Sequence, residues 1–113
     1  MGFFDKFRGR RGGGTRADIA AAQRYLSDWA HTHTGVEAYV EPQTSVTELT
    51  VVLVASDGEW TRRRVGGEAG ARRLGEDLGI PVYDVQRVGY PQRMRDYDAR
   101  RRARRRAGYD PDA

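Results

Sequence analysis

The apolar positions change period along the chain, and each change marks an element. Ile19, Ala22, Leu26 and Trp29 recur at helical spacing and form one stripe. Thr15-Arg16-Ala17-Asp18 ahead of them has the capping-box pattern, with Asp in place of the usual Glu, so a helix opens at Thr15. Gly35 is its stop. Over residues 36–41 the period falls to two: Val36, Ala38 and Val40 point one way, Glu37, Tyr39 and Glu41 the other. That pattern predicts a half-buried strand, ended by Pro42. A longer strand is predicted over 46–56, and its stretch 51–55 is apolar on both faces, which places it centrally in a sheet. Asp57-Gly58 is a type I′ hairpin signal, and residues 59–65 return as a third strand.

Gly66-Gly67 breaks the pattern. Ala71, Leu74 and Leu78 then share one face of a second helix, and Leu78-Gly79-Ile80-Pro81 reads as its end. Residues 81–88 are predicted as a fourth strand, which a helix separates from the third and which can therefore pair in parallel. Gly89-Tyr90-Pro91 is a turn. The expected fold is α/β (α+β), a two-layer sandwich of order α-β-β-β-α-β with both helices on one face and the other sheet face open. The chain divides into a basic N-terminal tail with a Gly linker (1–14), one α/β domain (15–92) and an Arg-rich C-terminal tail (93–113).

Charge changes this picture more than size does. The 113 residues suit one small domain, and the formal net charge is only +4. Its distribution is uneven. Residues 93–106 hold eight Arg against Asp96 and Asp98, a local charge of +6. Residues 1–14 carry +3, whereas residues 15–92 carry −3. A mildly acidic body with two basic ends points to contact with a polyanion. Nineteen of the 20 basic residues are Arg, the better bidentate phosphate ligand, although a GC-rich genome produces the same bias. Eight like charges weaken an isolated helix, so residues 93–107 are expected to be partly ordered or disordered until they meet a partner.

Composition also excludes. Without cysteine there are no disulfides or thiolate metal sites, which fits a cytoplasmic protein. The longest strongly apolar run, 51–55, is far short of a membrane span, and the N-terminus has no signal-peptide core. Gly12–Gly14 lacks the Lys-Ser/Thr ending of a phosphate loop, and no dinucleotide fingerprint follows a strand. His31 and His33 point to different sides on a helix and could share a metal only on an extended turn; with no Cys and no matched carboxylate, no metal is expected, and no cofactor is expected either. No nucleophile triad can be assembled, and a non-enzymatic role is favoured.

Binding residues are easier to nominate. Trp60, Arg62 and Arg64 alternate and so share a sheet face, where an aromatic ring beside guanidinium groups can stack on a base and hold phosphates. Tyr39 can join from the neighbouring strand, and Arg87 is a further candidate. The other reading is that Trp60 is core and the Arg stems cover the sheet. Tyr90, Arg93, Arg95 and Tyr97 interleave aromatic and basic groups in a way that suits RNA, or else pin the tail to the body. Arg100, Arg101, Arg102, Arg104, Arg105 and Arg106 form an electrostatic arm that would hold phosphate without reading sequence. Phe3, Phe4 and Phe7 beside Lys6, Arg8, Arg10 and Arg11 make a short membrane-surface or partner-contact candidate. The first expectation is thus an RNA- or ribonucleoprotein-binding protein. The second is a membrane-surface adaptor, and the third a small enzyme or cofactor binder with a pocket by Tyr83, Asp84 and Tyr90.

Three resemblances bear on this. Helix–three strands–helix resembles the double-stranded-RNA-binding domain, with Arg62-Arg63-Arg64 and Arg72-Arg73 near where that family meets phosphate, but without its Lys-Lys-x-Ala-Lys run. With the fourth strand the order is similar to the core of restriction-endonuclease-like nucleases. Their Asp/Glu-x-Lys element is replaced here by Glu59-Trp60-Thr61, and Asp57 falls in the turn. Val36 to Pro42, Asp57 to Arg64, and Ile80 to Val85 with Gly89 to Arg95 together resemble a group of small proteins of high-GC Gram-positive bacteria. Some of that group carry the label oxidoreductase. The residues that such a label would need, a dinucleotide fingerprint or a redox Cys pair, do not occur in this chain.

Overall fold

A computed structural model describes residues 14–108. Helix α1 spans Arg16–His31, and its capping box is complete: Asp18 N–H donates to Thr15 Oγ1 at 3.0 Å and Thr15 N–H donates to Asp18 Oδ2 at 3.2 Å. Strands β1 (Glu37–Glu41), β2 (Thr50–Val54) and β3 (Trp60–Arg64) follow, then helix α2 (Gly67–Leu78) and strand β4 (Val82–Asp84). A single turn, α3 (Val85–Val88), leads to helix α4 (Gln92–Arg106). The sheet order is β3-β2-β1-β4. β2 is antiparallel to both β1 and β3, and β4 lies parallel to β1, as the intervening helix allows. The chain is therefore an α+β sandwich of the expected element order.

The apolar stripes of α1 and α2 meet one face of the sheet. Leu26, Leu74, Ala71, Val51, Leu53, Ala55 and Val65 form the centre of this core. β2 sits between two strands and is buried on both sides, which is what its double-faced apolar run requires. Gly70 lets α2 approach closely, because a Cβ there would stand 1.6 Å from the Val65 carbonyl oxygen.

Two strand boundaries and one turn type differ from the sequence expectation, each for a local reason. β2 begins at Thr50 rather than near 46, because Thr44 Oγ1 accepts from Val46 and Thr47 N–H and folds 44–47 into a turn. Val46 is left 88% exposed at its tip. β4 stops at Asp84, whose carboxylate accepts from Gln86 N–H and caps α3. The β2–β3 turn is not type I′. Only Gly58 has positive φ, Gly58 N–H bonds to Ala55 O, and Ala55 N–H bonds to Glu59 O. That is the three-residue loop with glycine in the left-handed position.

The largest difference is at the C-terminus, where residues 92–106 are helical. Three things offset the like-charge repulsion. The first half packs on the second sheet face through Met94, which with Tyr90 and Trp60 closes over Tyr39, Val52 and Val54. Arg104, Arg105 and Arg106 lie in the last turn, where cations favour the carbonyl end of the helix dipole. Gly108, at φ 78°, closes the helix by donating to Arg105 O.

Candidate nucleic-acid interface

The second sheet face carries the side chains nominated from sequence. The strand register sets Tyr39 opposite Val52, Val52 opposite Arg62, Val54 opposite Trp60 and Thr50 opposite Arg64. Alternation thus brings Trp60, Arg62, Arg64 and Tyr39 onto one face, with Glu37 and Glu41 among them. The Arg62 guanidinium lies 5.1 Å from the Trp60 ring centroid.

These groups are engaged within the fold. Arg62 holds Glu41 through both ends of the fork, Nε to Oε1 at 2.7 Å and Nη2 to Oε2 at 2.9 Å. Thr50 Oγ1 donates to the same carboxylate at 2.6 Å, and so does the Tyr90 hydroxyl from the turn before α4. Burial alone would raise the Glu41 pKa. The hydrogen bonds from Arg62, Thr50 and Tyr90 outweigh it and bring the carboxyl down to about 2. Burial and the neighbouring carboxylate push the Tyr90 hydroxyl up. Arg64 reaches Glu48 at 3.3 Å. Trp60 is half-buried beneath α4, and its Nε1–H donates to Asp98 Oδ1 at 2.9 Å.

Arg93 clamps the start of α4 to the sheet. Its Nη2 reaches Glu37 Oε1 at 2.8 Å and its Nε donates to Ala55 O at 2.8 Å. The Arg93 hydrogen bond lowers the Glu37 pKa against the effect of burial. Burial raises the Tyr39 hydroxyl pKa, and a hydrogen bond to Glu37 adds to this. α4 then crosses the β2–β3 turn at Gly58. A Cβ at that glycine would stand 2.0 Å from Arg93 O and 2.9 Å from Tyr97 Cβ. Position 58 is glycine on two counts, its φ of 93° and this contact.

Beyond Asp98 the helix is basic throughout. Arg100 Nη2 donates to Asp57 O at 2.9 Å and ties the arm to the turn. Arg100 and Arg101 flank the Tyr97 ring, and Arg101 Nε is buried without an acceptor among the described residues. Arg102, Arg105 and Arg106 are exposed, and Arg104 is half-exposed. Among the described residues no ion pair joins Arg102, Arg104 or Arg106.

The remaining nominees scatter. Arg87 is exposed on α3, and Arg95 is exposed and bonded to Gln92 of its own helix. Phe3, Phe4 and Phe7 lie outside the described residues. Tyr83 and Asp84 do line a groove of ≈ 620 Å³ between β4 and α2, but Tyr90 does not border it. His33 stacks on Trp29 at 3.7 Å and meets Glu59 at 3.2 Å. No helix among the described residues is long and apolar enough to cross a membrane. Sequence reasoning missed Glu37, Glu41, Asp98 and Gly58, which place α4. The available signal was the acidic side of the 36–41 alternation, complementary in sign to the Arg segment.

Compared with protein-family models, with curated proteins and with solved structures, the chain finds no match.

Proposed function

We propose that this chain is a small, non-enzymatic, cytoplasmic protein that binds nucleic acid by charge, through the C-terminal half of α4. The observation that carries the reading is the division of α4 into two parts. Its first half spends Arg93, Met94 and Asp98 on the sheet. Its second half, residues 99–106, is six Arg and two Ala on a helix that the first half holds in place. Guanidinium groups held in this way suit phosphate contact, which positions a protein without reading sequence. The Trp60, Arg62 and Arg64 face supports the arm, since its groups are bonded to Asp98, Glu41 and Glu48.

RNA or a ribonucleoprotein was the expectation because Trp60 and Tyr90 could stack on bases. Both now have partners inside the protein, so support for the reading comes from the arm's charge. Six phosphate contacts would give a log–log salt slope of about −5 on duplex DNA and about −4 on a single strand. The test is a pulldown of nucleic acid from native lysate at low and high salt, using the full chain and a variant with Arg102, Arg104 and Arg106 changed to Ala. Recovery at low salt that vanishes at high salt and in the variant supports the reading. Recovery unchanged in the variant removes it.

A further inference from the structure

Resting on that reading, we infer that the arm's substrate class is duplex DNA, entered by α4 from the major-groove side. Geometry around the helix axis carries this. At about 100° per residue, Arg102 and Arg106 lie within about 40° of each other, and Arg104 lies about 160° from both. Arg102, Arg104 and Arg106, none of which has an acidic partner among the described residues, therefore sit on opposite sides of one rod. Ala99 and Ala103 occupy the stretch of circumference between Arg106 and Arg100, and both are exposed.

Each class of polyanion presents its phosphates differently. A single strand offers one line of phosphate and needs free aromatic faces for its bases. Here the aromatic groups near the arm are taken. Trp60 lies under α4, Tyr97 is flanked by Arg100 and Arg101, and Tyr39 packs on Tyr83 at 5.3 Å. A groove with phosphate on both walls is the surface that satisfies guanidinium groups on opposite sides of one helix. The major groove of B-form DNA is about 12 Å wide, and an α-helix with side chains is about 10–12 Å across. The A-form RNA major groove is deep and too narrow for side chains to read. The two turns of residues 99–106 span about 12 Å along the axis, enough to enter a groove about 8.5 Å deep. With no Asn or Gln in this stretch, recognition would be dominated by phosphate rather than by adenine edges.

The test is fluorescence anisotropy of the full chain with labelled duplex DNA, duplex RNA and single-stranded DNA of one sequence, at one salt concentration. Duplex DNA should bind roughly tenfold more tightly than either alternative. Arg102→Ala with Arg106→Ala, and separately Arg104→Ala, should each weaken duplex binding, since each side meets its own wall. Equal affinities, tighter binding of single strand or RNA duplex, or dependence on one side only would overturn the groove inference while leaving nucleic-acid binding in place. No binding to any of the three would overturn both.

Discussion

The two faces of the sheet are held by different physics. On the α1/α2 face the contacts are aliphatic: Leu26, Leu53, Leu74, Val51 and Val65 are each at or below 2% exposure. That face is stabilised by removing apolar surface from water, which neither pH nor salt alters much. On the α4 face the apolar patch is small: among the described residues Tyr39, Val52, Val54 and Met94 are its buried members. Charged groups do the rest: Arg93 on Glu37, Arg62 and Tyr90 on Glu41, and Asp98 on the Trp60 indole N–H. A helix this basic cannot be docked by a broad apolar stripe, because it has almost none, so acidic residues on the opposing sheet face take over that task.

The comparison is broken most severely from the aliphatic side. Leu53→Ala should cost about 2–5 kcal/mol and lower the urea midpoint of the whole fold, seen alike by far-UV circular dichroism and by tryptophan fluorescence. Gly58→Val should act on the other face. Positive φ costs a branched residue roughly 1–2 kcal/mol, and its side chain would meet the Arg93 carbonyl, so α4 should lift while α1 and α2 stay packed. Loss of helical signal confined to the C-terminal segment, measured by hydrogen exchange, is the expected result. Loss of protection throughout would show that the faces are not separable.

Acid should discriminate between the faces without a mutation. The Glu41 carboxyl has a folded pKa of about 2 against an ordinary 4.5, and that of Glu37 is also lowered. A depressed folded pKa gives stability that is present above 4.5 and is lost as pH falls toward about 2. Between those values the emission of Trp60, followed in a Trp29→Phe background, should report release of α4 before the aliphatic core opens. A single coincident transition would sink the distinction. The smallest effect is expected for Asp98→Ala, about 1–2 kcal/mol from a lost charge-assisted hydrogen bond to Trp60, readable in the same emission.

Much of the fold was legible because it rests on local rules. The Thr15 cap, the β1 alternation, the double-sided β2 run and the Gly79 stop are each fixed by a few neighbouring residues. The strand ends at Thr50 and Asp84 were not, because single side chains, Thr44 and Asp84, capture backbone N–H groups that the apolar pattern does not register. α4 was hidden for another reason. Its like charges argue against a helix in isolation, and what stabilises it lies up to 56 positions away, where Glu37 meets Arg93. The nominated residues were brought together on one face, but the pattern could not show that their partners would be inside the protein.

Burial of β2 on both faces has a consequence for how the chain ages. Val52 and Val54 are fully covered only while α4 rests on them. A cut in the Gly89-Tyr90-Pro91 turn that released the basic helix would bare a strip of Tyr39, Val52, Val54 and Trp60 beside β3, the edge strand of the sheet among the described residues. Strips rich in β-branched and aromatic residues next to an unpaired edge are where sheets add further copies of themselves. Such a nick would remove the basic charge together with the cover, and the clipped chain is expected to self-associate more readily than the intact one.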